Sequence, residues 1–225
     1  MGQVVIKRDK AGLKRPLDIL LIENLTASGD EVVLLRDEIA RIIGSRHAGY
    51  LARFVGIVDS VIETTAVAVP DSIDVMVDRL DKTLYINHCR VRGHAPTVQI
   101  HLEEDIIPIR IRKLFIHNFV DTATAYLGAR YGHEYVADAI KDPRVFPVIQ
   151  GAFRETQRAL SRRFPDRAEM HGDELSGYFE EQLDRLKSLA LRDRVDRIAR
   201  YPLQKLRFDC LASVGNGQNA SVGKL

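Results

Sequence analysis

The chain has 225 residues, of which 45% are hydrophobic and 28% are charged, as is ordinary for a soluble globular protein. Its formal net charge of +2 is too small to indicate binding to nucleic acid. The two cysteines, Cys89 and Cys210, form no CxxC pair, and no histidine or cysteine spacing fits a standard zinc site. No apolar run is long enough for a membrane span, and the N-terminus has no signal-peptide core. We therefore expect a cytoplasmic protein with no bound metal, no membrane partner and no nucleic-acid partner.

The first part of the chain mixes predicted strands and helices. Asp18–Ile22 is a short apolar run typical of a buried strand, and Glu31–Ile43 has helical spacing and stops at Gly44. Phe54–Val61 and Ser72–Val77 are rich in β-branched residues, which favours strands. Further short strands of an antiparallel sheet are predicted at Thr83–Tyr85, Cys89–Val91 and Thr97–His101.

After Asp105 the pattern becomes helical almost to Leu206. Pro108 suits the first turn of a long helix. Further helices are predicted at Val136–Ile140, Val145–Arg163 and Gly172–Leu189. The patterning predicts an α+β fold, with a short mixed or antiparallel sheet region followed by a predominantly helical part. We place the division between residues 1–105 and 106–211, and we expect a disordered tail at 212–225, which is rich in Gly, Asn and Ser.

The first long helix carries the residues with the clearest chemical potential. On an α-helix, Asn118 lies about 140° from Lys113, with Asp121 between them at about 80°, so all three can line one side of a cleft. Burial and neighbouring arginines lower the pKa of a lysine, and such an amine is a competent general base near neutral pH. The alternative is an extended lysine and an ordinary surface carboxylate.

Five segments of the chain are similar, in order, to motifs of one enzyme family. They are residues 16–24, 54–60, 112–118, 124–128 and 197–206. Through them the chain resembles the polyol-specific long-chain dehydrogenases, and within these the mannitol 1-phosphate dehydrogenases, from about Pro16 to Leu211. The resemblance implies the C-terminal catalytic part of such an enzyme, in which residues 106–211 correspond to the helical substrate domain.

The resemblance also implies roles for particular residues. Lys113 matches the general acid/base of alcohol oxidation, Asn118 matches the asparagine that holds the reacting oxygen, and Asn24 matches a residue near the nicotinamide and substrate. Asp121 stands where the family has a histidine, and we keep it as a candidate catalytic residue. Candidate cations for a sugar phosphate are Arg185, Arg200 and Lys205, since guanidinium groups meet phosphate oxygens bidentately.

The chain departs from the family in its nucleotide-binding half. The family opens on a Rossmann domain with a Gly-x-Gly-x-x-Gly turn, whereas the one Gly-x-Gly here is residues 215–217, in the tail. The sequence therefore leads us to expect a missing N-terminal Rossmann domain. NAD would be used only if a partner supplied that domain. The family's Arg-Phe-x-Asn-Pro segment is also altered, at residues 185–189.

Three functions remain open from the sequence. The first is a truncated dehydrogenase-like enzyme with a sugar-phosphate or polyol pocket, in which Lys113 serves NAD-independent isomerase, epimerase or lyase chemistry. The second is the substrate half of a split NAD-dependent polyol-phosphate dehydrogenase, completed by a partner chain. The third is a non-catalytic ligand-binding or assembly module. Each predicts a homo-oligomer or a partner chain, because loss of a Rossmann half exposes a large apolar surface.

Overall fold

The computed structural model of the chain describes residues 1–22, 25, 29–63, 66–69, 71–77, 84–88, 91–93, 100–188 and 193–205. The strands are β1 (Leu17–Leu21), β2 (Val55–Ile62), β3 (Ala66–Ala68), β4 (Val75–Val77), β5 (Leu84–Asn87) and β6 (Ile100–Glu103). The helices are α1 (Gly2–Lys10), α2 (Glu31–Ile43), α3 (Ser45–Phe54), α4 (Ile107–Arg112), α5 (Phe119–Tyr131), α6 (Val136–Ala139), α7 (Phe146–Arg163), α8 (Gly172–Lys187), α9 (Val195–Ile198) and α10 (Pro202–Lys205). A π-helical turn, Lys113–Asn118, joins α4 to α5. A short 3₁₀ helix, Ala168–Met170, precedes α8.

The chain forms two compact units. The first comprises Met1–Thr64 and Arg79–Arg110, and the second comprises Thr65–Asp78 and Ile111–Leu225. The first unit holds a four-stranded sheet, and the second is mainly helical with the β3–β4 hairpin. The predicted α+β class, with a small sheet region and then helices, is confirmed.

The sheet of the first unit has the strand order β1-β2-β5-β6. Its pairs are parallel for β1 with β2, antiparallel for β2 with β5, and parallel for β5 with β6. The expectation that the later strands form an antiparallel sheet is therefore wrong for β5 and β6. The strand predicted at Cys89–Val91 begins outside the described residues, and among the described ones Val91 is not in a strand.

Strand β2 forms the centre of this sheet. Its residues from Val55 to Val61 are all buried, and strands β1 and β5 flank it. A strand rich in Val and Ile suits coverage on both faces, and β2 also buries the polar side chains of Asp59 and Ser60. The core next to it is formed by Val5, Ile19, Leu25, Val32, Ile39, Ile43, Tyr50, Leu51, Val55 and Ile57.

Helix α1 is an element that the sequence analysis missed. Its charged sequence shows little apolar periodicity, and a helix this short is marginal alone. Contacts to α3 stabilise it: Asp9 Oδ2 lies 2.6 Å from His47 Nδ1. Arg8 Nε donates to Tyr50 Oη at 3.2 Å. Since the partners lie about forty residues away in the chain, local patterning carries no sign of them.

Three helices of the second unit agree with the sequence prediction. Helices α6, α7 and α8 begin and end within two residues of the predicted bounds. The rings of Phe153 on α7 and Phe179 on α8 stack with centroids 3.9 Å apart. Among the helices formed by described residues, none is both long and apolar enough to cross a bilayer. The predicted disordered tail lies outside the described residues.

Close packing of α5 against α6 and α9 depends on a glycine. A Cβ on Gly128 would lie 2.8 Å from Ala139 Cβ and 3.2 Å from Val195 Cγ2. Neither neighbour has a flexible side chain that can move away. The absence of a side chain at position 128 therefore sets the distance between these helices.

We expect Gly128→Ala to destabilise the protein by about 1–3 kcal/mol through overpacking, measured as the free energy of unfolding in urea. Gly151→Ala is the matched control, because this glycine is also helical but exposed, and a Cβ added there would meet nothing within 4 Å. The control should gain up to about 1 kcal/mol of stability from helix propensity. Equal effects of the two substitutions would contradict the packing argument.

Candidate functional site

The residues predicted to carry chemistry lie on a π-helical turn. A helical run extends without a break from Ile107 to Tyr131, and its middle six residues, Lys113–Asn118, are π-helical. The Asp105 carboxylate accepts from the backbone N–H of Ile107 at 3.1 Å and marks the start of the run. π-Helical turns are rare, and they occur frequently at functional sites.

The π turn changes the geometry expected for the three candidates. Its i→i+5 hydrogen bonding places Lys113 and Asn118 roughly one turn apart, and α-helical geometry then places Asp121 roughly a sixth of a turn short of Asn118. The 140° separation expected on an α-helix is therefore corrected, and the three residues lie closer together on one side of the helix. Lys113, Asn118 and Asp121 are all partly buried.

Asp121 forms a buried ion pair with Arg185 of α8. The guanidinium Nη2 donates to Asp121 Oδ1, and Nε donates to Gln182 Oε1 at 3.1 Å. The Asp121 side chain is 18% exposed, whereas that of Arg185 is only 6% exposed. His117 is also buried, with its Nε2 3.9 Å from Asp121 Oδ2. The carboxylate therefore has cationic or titratable neighbours on two elements.

Burial raises the pKa of Asp121 above its usual range, and this effect exceeds the lowering by the adjacent Arg185 guanidinium. Asp193 raises the pKa further, and Arg197 lowers it. These two residues are themselves paired, since Arg197 Nη2 donates to Asp193 Oδ1. Asp121 thus lies in a cluster of two carboxylates and two guanidinium groups, which we name the charge cluster: Asp121, Arg185, Asp193 and Arg197.

The other predicted substrate cations lie near the end of the described chain. Arg200 is exposed, and its Nε donates to the Arg197 carbonyl at 3.0 Å. Lys205 Nζ donates to the Ile198 carbonyl at 2.5 Å. Asn24 lies outside the described residues. The structure therefore brings Asp121 and Arg185 together and places Arg200 beside Arg197, while Lys205 is turned toward α9.

Two fully buried polar atoms near the charge cluster have no hydrogen-bond partner among the described residues. They are Gln182 Nε2 on α8 and Thr124 Oγ1 on α5, each in a residue with 0% exposure. Gln182 is not among the predicted site residues, although its position in the helix makes it unusual. It falls on the buried face of α8 with Leu175, Phe179 and Leu186, where an amide is out of place.

The first unit holds a second buried ion pair. Arg110 Nη2 donates to Asp59 Oδ1, and both side chains are less than one tenth exposed. Gly29 lies against this pair: a Cβ there would overlap Arg110 Nη1 and lie 2.9 Å from Asp59 Oδ2. Arg110 is thus held by Asp59.

The described residues were compared with two kinds of binding site, a metal cluster and a pyrophosphate-binding turn. No group of three or more His, Cys, Asp or Glu side chains that could hold a metal ion is found in that part of the chain. Pyrophosphate binding needs a glycine-rich turn between a strand and a helix. The passage from β1 to α2 has one glycine, Gly29, which lies against a guanidinium, and the passage from β6 to α4 has none.

The raised pKa of Asp121 gives a pH dependence with a definite sign. The folded state holds the Asp121 proton more tightly than the unfolded state, so the free energy of unfolding falls as pH rises from about 4 through the raised pKa. Asp121→Asn removes this fall. As pH rises across that range, the free energy of unfolding of Asp121→Asn should therefore increase relative to that of the wild type. Urea titrations at stepped pH measure this difference.

Asp184→Asn is the control for this titration. Asp184 is also on α8 but is 81% exposed, so its replacement should leave the pH slope unchanged. A difference between wild type and Asp121→Asn that stays constant with pH would contradict the assignment.

Comparison with known proteins places these elements in a family. Residues 105–223 match the mannitol dehydrogenase C-terminal domain. The Pseudomonas fluorescens mannitol 2-dehydrogenase ternary complex with NAD and D-mannitol has the same fold, with a TM-score of 0.66 and 17% identity over 88% of this chain and 42% of that one. A D-sorbitol dehydrogenase in substrate-free form gives a TM-score of 0.73 and 15% identity over 95% and 46%.

At these identities the solved structures show a likeness of fold alone, and the chain spans less than half the length of each. The domain match is broader evidence of descent, because it covers more than half of the 225 residues and includes the π turn and the charge cluster. The chain belongs to the mannitol dehydrogenase C-terminal domain family.

Proposed function

We propose that the chain carries the substrate-binding and proton-transfer part of a polyol dehydrogenase-like reaction, with Lys113 as the general acid/base. The observation that supports this most directly is the π turn. It places Lys113 and Asn118 about one turn apart, in the segment that the family resemblance marks as catalytic. Asn118 would orient the reacting oxygen while Lys113 takes or returns its proton.

The chemistry of the two side chains suits that division of roles. An amide can both donate and accept hydrogen bonds, so Asn118 can hold either a hydroxyl or a carbonyl oxygen. An amine within hydrogen-bond reach of that oxygen can accept the hydroxyl proton, or donate a proton as the carbonyl is reduced. Partial burial keeps both groups away from bulk water. D-Mannitol, bound in one of the solved relatives, is a reasonable first substrate to test.

Oxidation of a polyol also requires a hydride acceptor. NAD supplies that chemistry when it is bound, and the described strands and helices are joined by no glycine-rich turn of the kind that cradles its pyrophosphate. We propose that the nucleotide site is supplied from outside the described residues, either by a further segment of the polypeptide or by a partner chain, since the match spans less than half of each solved dehydrogenase. The alternative is chemistry that needs no hydride acceptor, in which Lys113 moves a proton next to a sugar carbonyl, as in isomerisation or epimerisation.

A Lys113→Met variant tests the acid/base role. We expect it to lose about 10²–10⁴-fold in turnover, the usual contribution of general acid/base catalysis, while its melting temperature stays close to that of the wild type. The readout is deuterium incorporation next to the carbonyl of a ketohexose in D₂O, followed by NMR, together with NADH formation from D-mannitol in the presence of a nucleotide-binding partner. Lys141→Met, at an exposed lysine of the same unit, is the control.

The two assays separate the alternatives. Deuterium exchange by the chain alone favours the NAD-independent chemistry, whereas NADH formation that appears only with a partner favours the split dehydrogenase. Full activity of Lys113→Met in both assays would overturn the acid/base role. A wild-type chain that binds D-mannitol but is inactive in both the exchange assay and the NADH assay would favour a non-catalytic binding module.

We expect a partner that completes the dehydrogenase to form a stable complex with this chain. Co-expression with a candidate nucleotide-binding chain, followed by size-exclusion chromatography with light scattering, would show a joint species that binds NAD. NAD titration should then raise the melting temperature of the complex but not that of the isolated chain, because stabilisation follows occupancy. An isolated chain that NAD stabilises equally would contradict the division of labour.

A further inference from the structure

We propose that the Asp121 carboxylate takes the place at the Arg185 guanidinium that a phosphate would need. This ion pair makes the site select an uncharged polyol over its phosphate ester. The inference rests on the proposed function for the location of the substrate. It assigns Asp121 as a specificity-determining residue, and it replaces the expectation that Arg185 binds a sugar phosphate.

The exposure of the two partners decides what a ligand meets first. The Asp121 carboxylate is 18% exposed and the Arg185 guanidinium 6%, so the accessible member of the pair is the anion. Arg185 Nη2 donates to Asp121 and Nε donates to Gln182 Oε1. A phosphate could form the bidentate contact that guanidinium groups favour only after displacing the carboxylate.

The rest of the charge cluster gives a phosphate no compensating charge. Asp193 is paired with Arg197, so the cluster holds one carboxylate for each guanidinium. A dianionic phosphate entering it would face two fixed carboxylates, and separating a buried ion pair leaves a charge uncompensated. A neutral polyol avoids this cost because its hydroxyl groups need only hydrogen bonds.

Two neutral hydrogen-bonding groups on the same two helices are buried without a partner among the described residues, and a ligand would reach them only if their side chains moved. They are Gln182 Nε2 and Thr124 Oγ1. An amide N–H donates to a hydroxyl oxygen, and a threonine hydroxyl both donates and accepts. These groups match a polyhydroxylated ligand without charge. Gln182 also touches Arg185, so its amide is fixed by the same pair.

Arg200 is the strongest argument for the opposite preference. It is exposed, and it lies beside Arg197, whose side chain is 41% exposed. A phosphate bound there would not need to displace Asp121. The experiment must therefore distinguish a phosphate held by Arg200 from one held by Arg185.

The test compares D-mannitol, D-mannitol 1-phosphate and inorganic phosphate as ligands of the full chain, by thermal shift and calorimetric titration. We expect the wild type to bind D-mannitol at least tenfold more tightly than the phosphate ester, and inorganic phosphate not to stabilise it. Asp121→Asn should gain at least tenfold in affinity for both phosphates. Adding Arg185→Met to Asp121→Asn should abolish that gain, whereas adding Arg200→Met should not.

Three outcomes would overturn the proposal: a wild type that prefers the phosphate ester, a wild type that binds neither polyol, or an Asp121→Asn variant with no gain in phosphate affinity. If Asp121→Asn does not fold, Asp121→His removes the same negative charge with a side chain that the family carries there, and the same gain is expected. Lys141→Met, at an exposed lysine outside the site, should keep the binding preference of the wild type. If Lys113→Met turns over substrate as fast as the wild type while the wild type still prefers D-mannitol, the proposed function alone is refuted. If turnover requires Lys113 but the wild type does not prefer D-mannitol, the specificity role alone is refuted.

Discussion

The ion pair between Asp121 and Arg185 is the interaction on which the candidate site depends. It joins α5, which continues directly from the π turn, to α8, which carries Gln182. Since both charged groups are largely removed from water, each needs the other, and the two helices are held in one relative position. Arg112, just before the π turn, adds a second link, because its guanidinium carbon lies 4.4 Å from the centroid of the Tyr178 ring on α8. The position of the Lys113 turn is thus fixed from α8 by one ion pair and one cation–π contact.

Much of the architecture follows from local sequence signals. Helical periodicity delimits Glu31–Ile43 together with Gly44, whose φ of 69° is readily adopted only by glycine. The three predicted helices after residue 135 are correct because their apolar spacing and flanking breakers agree. By contrast, α1 and α3 escape prediction, since α1 depends on contacts with His47 and Tyr50 and α3 lies directly against a strand without a breaker between them. The parallel pairing of β5 with β6 is likewise set by tertiary packing and not by the patterning of either strand.

Residue type alone singles out some residues of the candidate site but not their geometry. Lys113, Asn118 and Asp121 stand out by residue type in an apolar helix. The π turn that brings them together is not detected by a search for the 3.6-residue period of an α-helix. The charge of Arg185 suggests a phosphate ligand, whereas its actual partner is a carboxylate 64 positions earlier in the chain. Asp193 and Gln182 complete the arrangement. Gln182 stands out as an amide on the buried face of α8, but its contact with Arg185 and the part taken by Asp193 depend on packing between distant elements. Side-chain pairing between distant elements is the information that a single sequence lacks.

The arrangement of Gly29 against the Asp59–Arg110 pair has an evolutionary consequence. The space that a side chain at position 29 would need is already filled by the guanidinium, and the glycine also has a φ of 69° that other residues adopt with strain. A side chain at position 29 would therefore have to push the Arg110 guanidinium away from Asp59, which would break the buried ion pair. The three positions are expected to change together among descendants of this chain. Such a constraint makes this part of the sheet unit slow to diversify even where no substrate touches it.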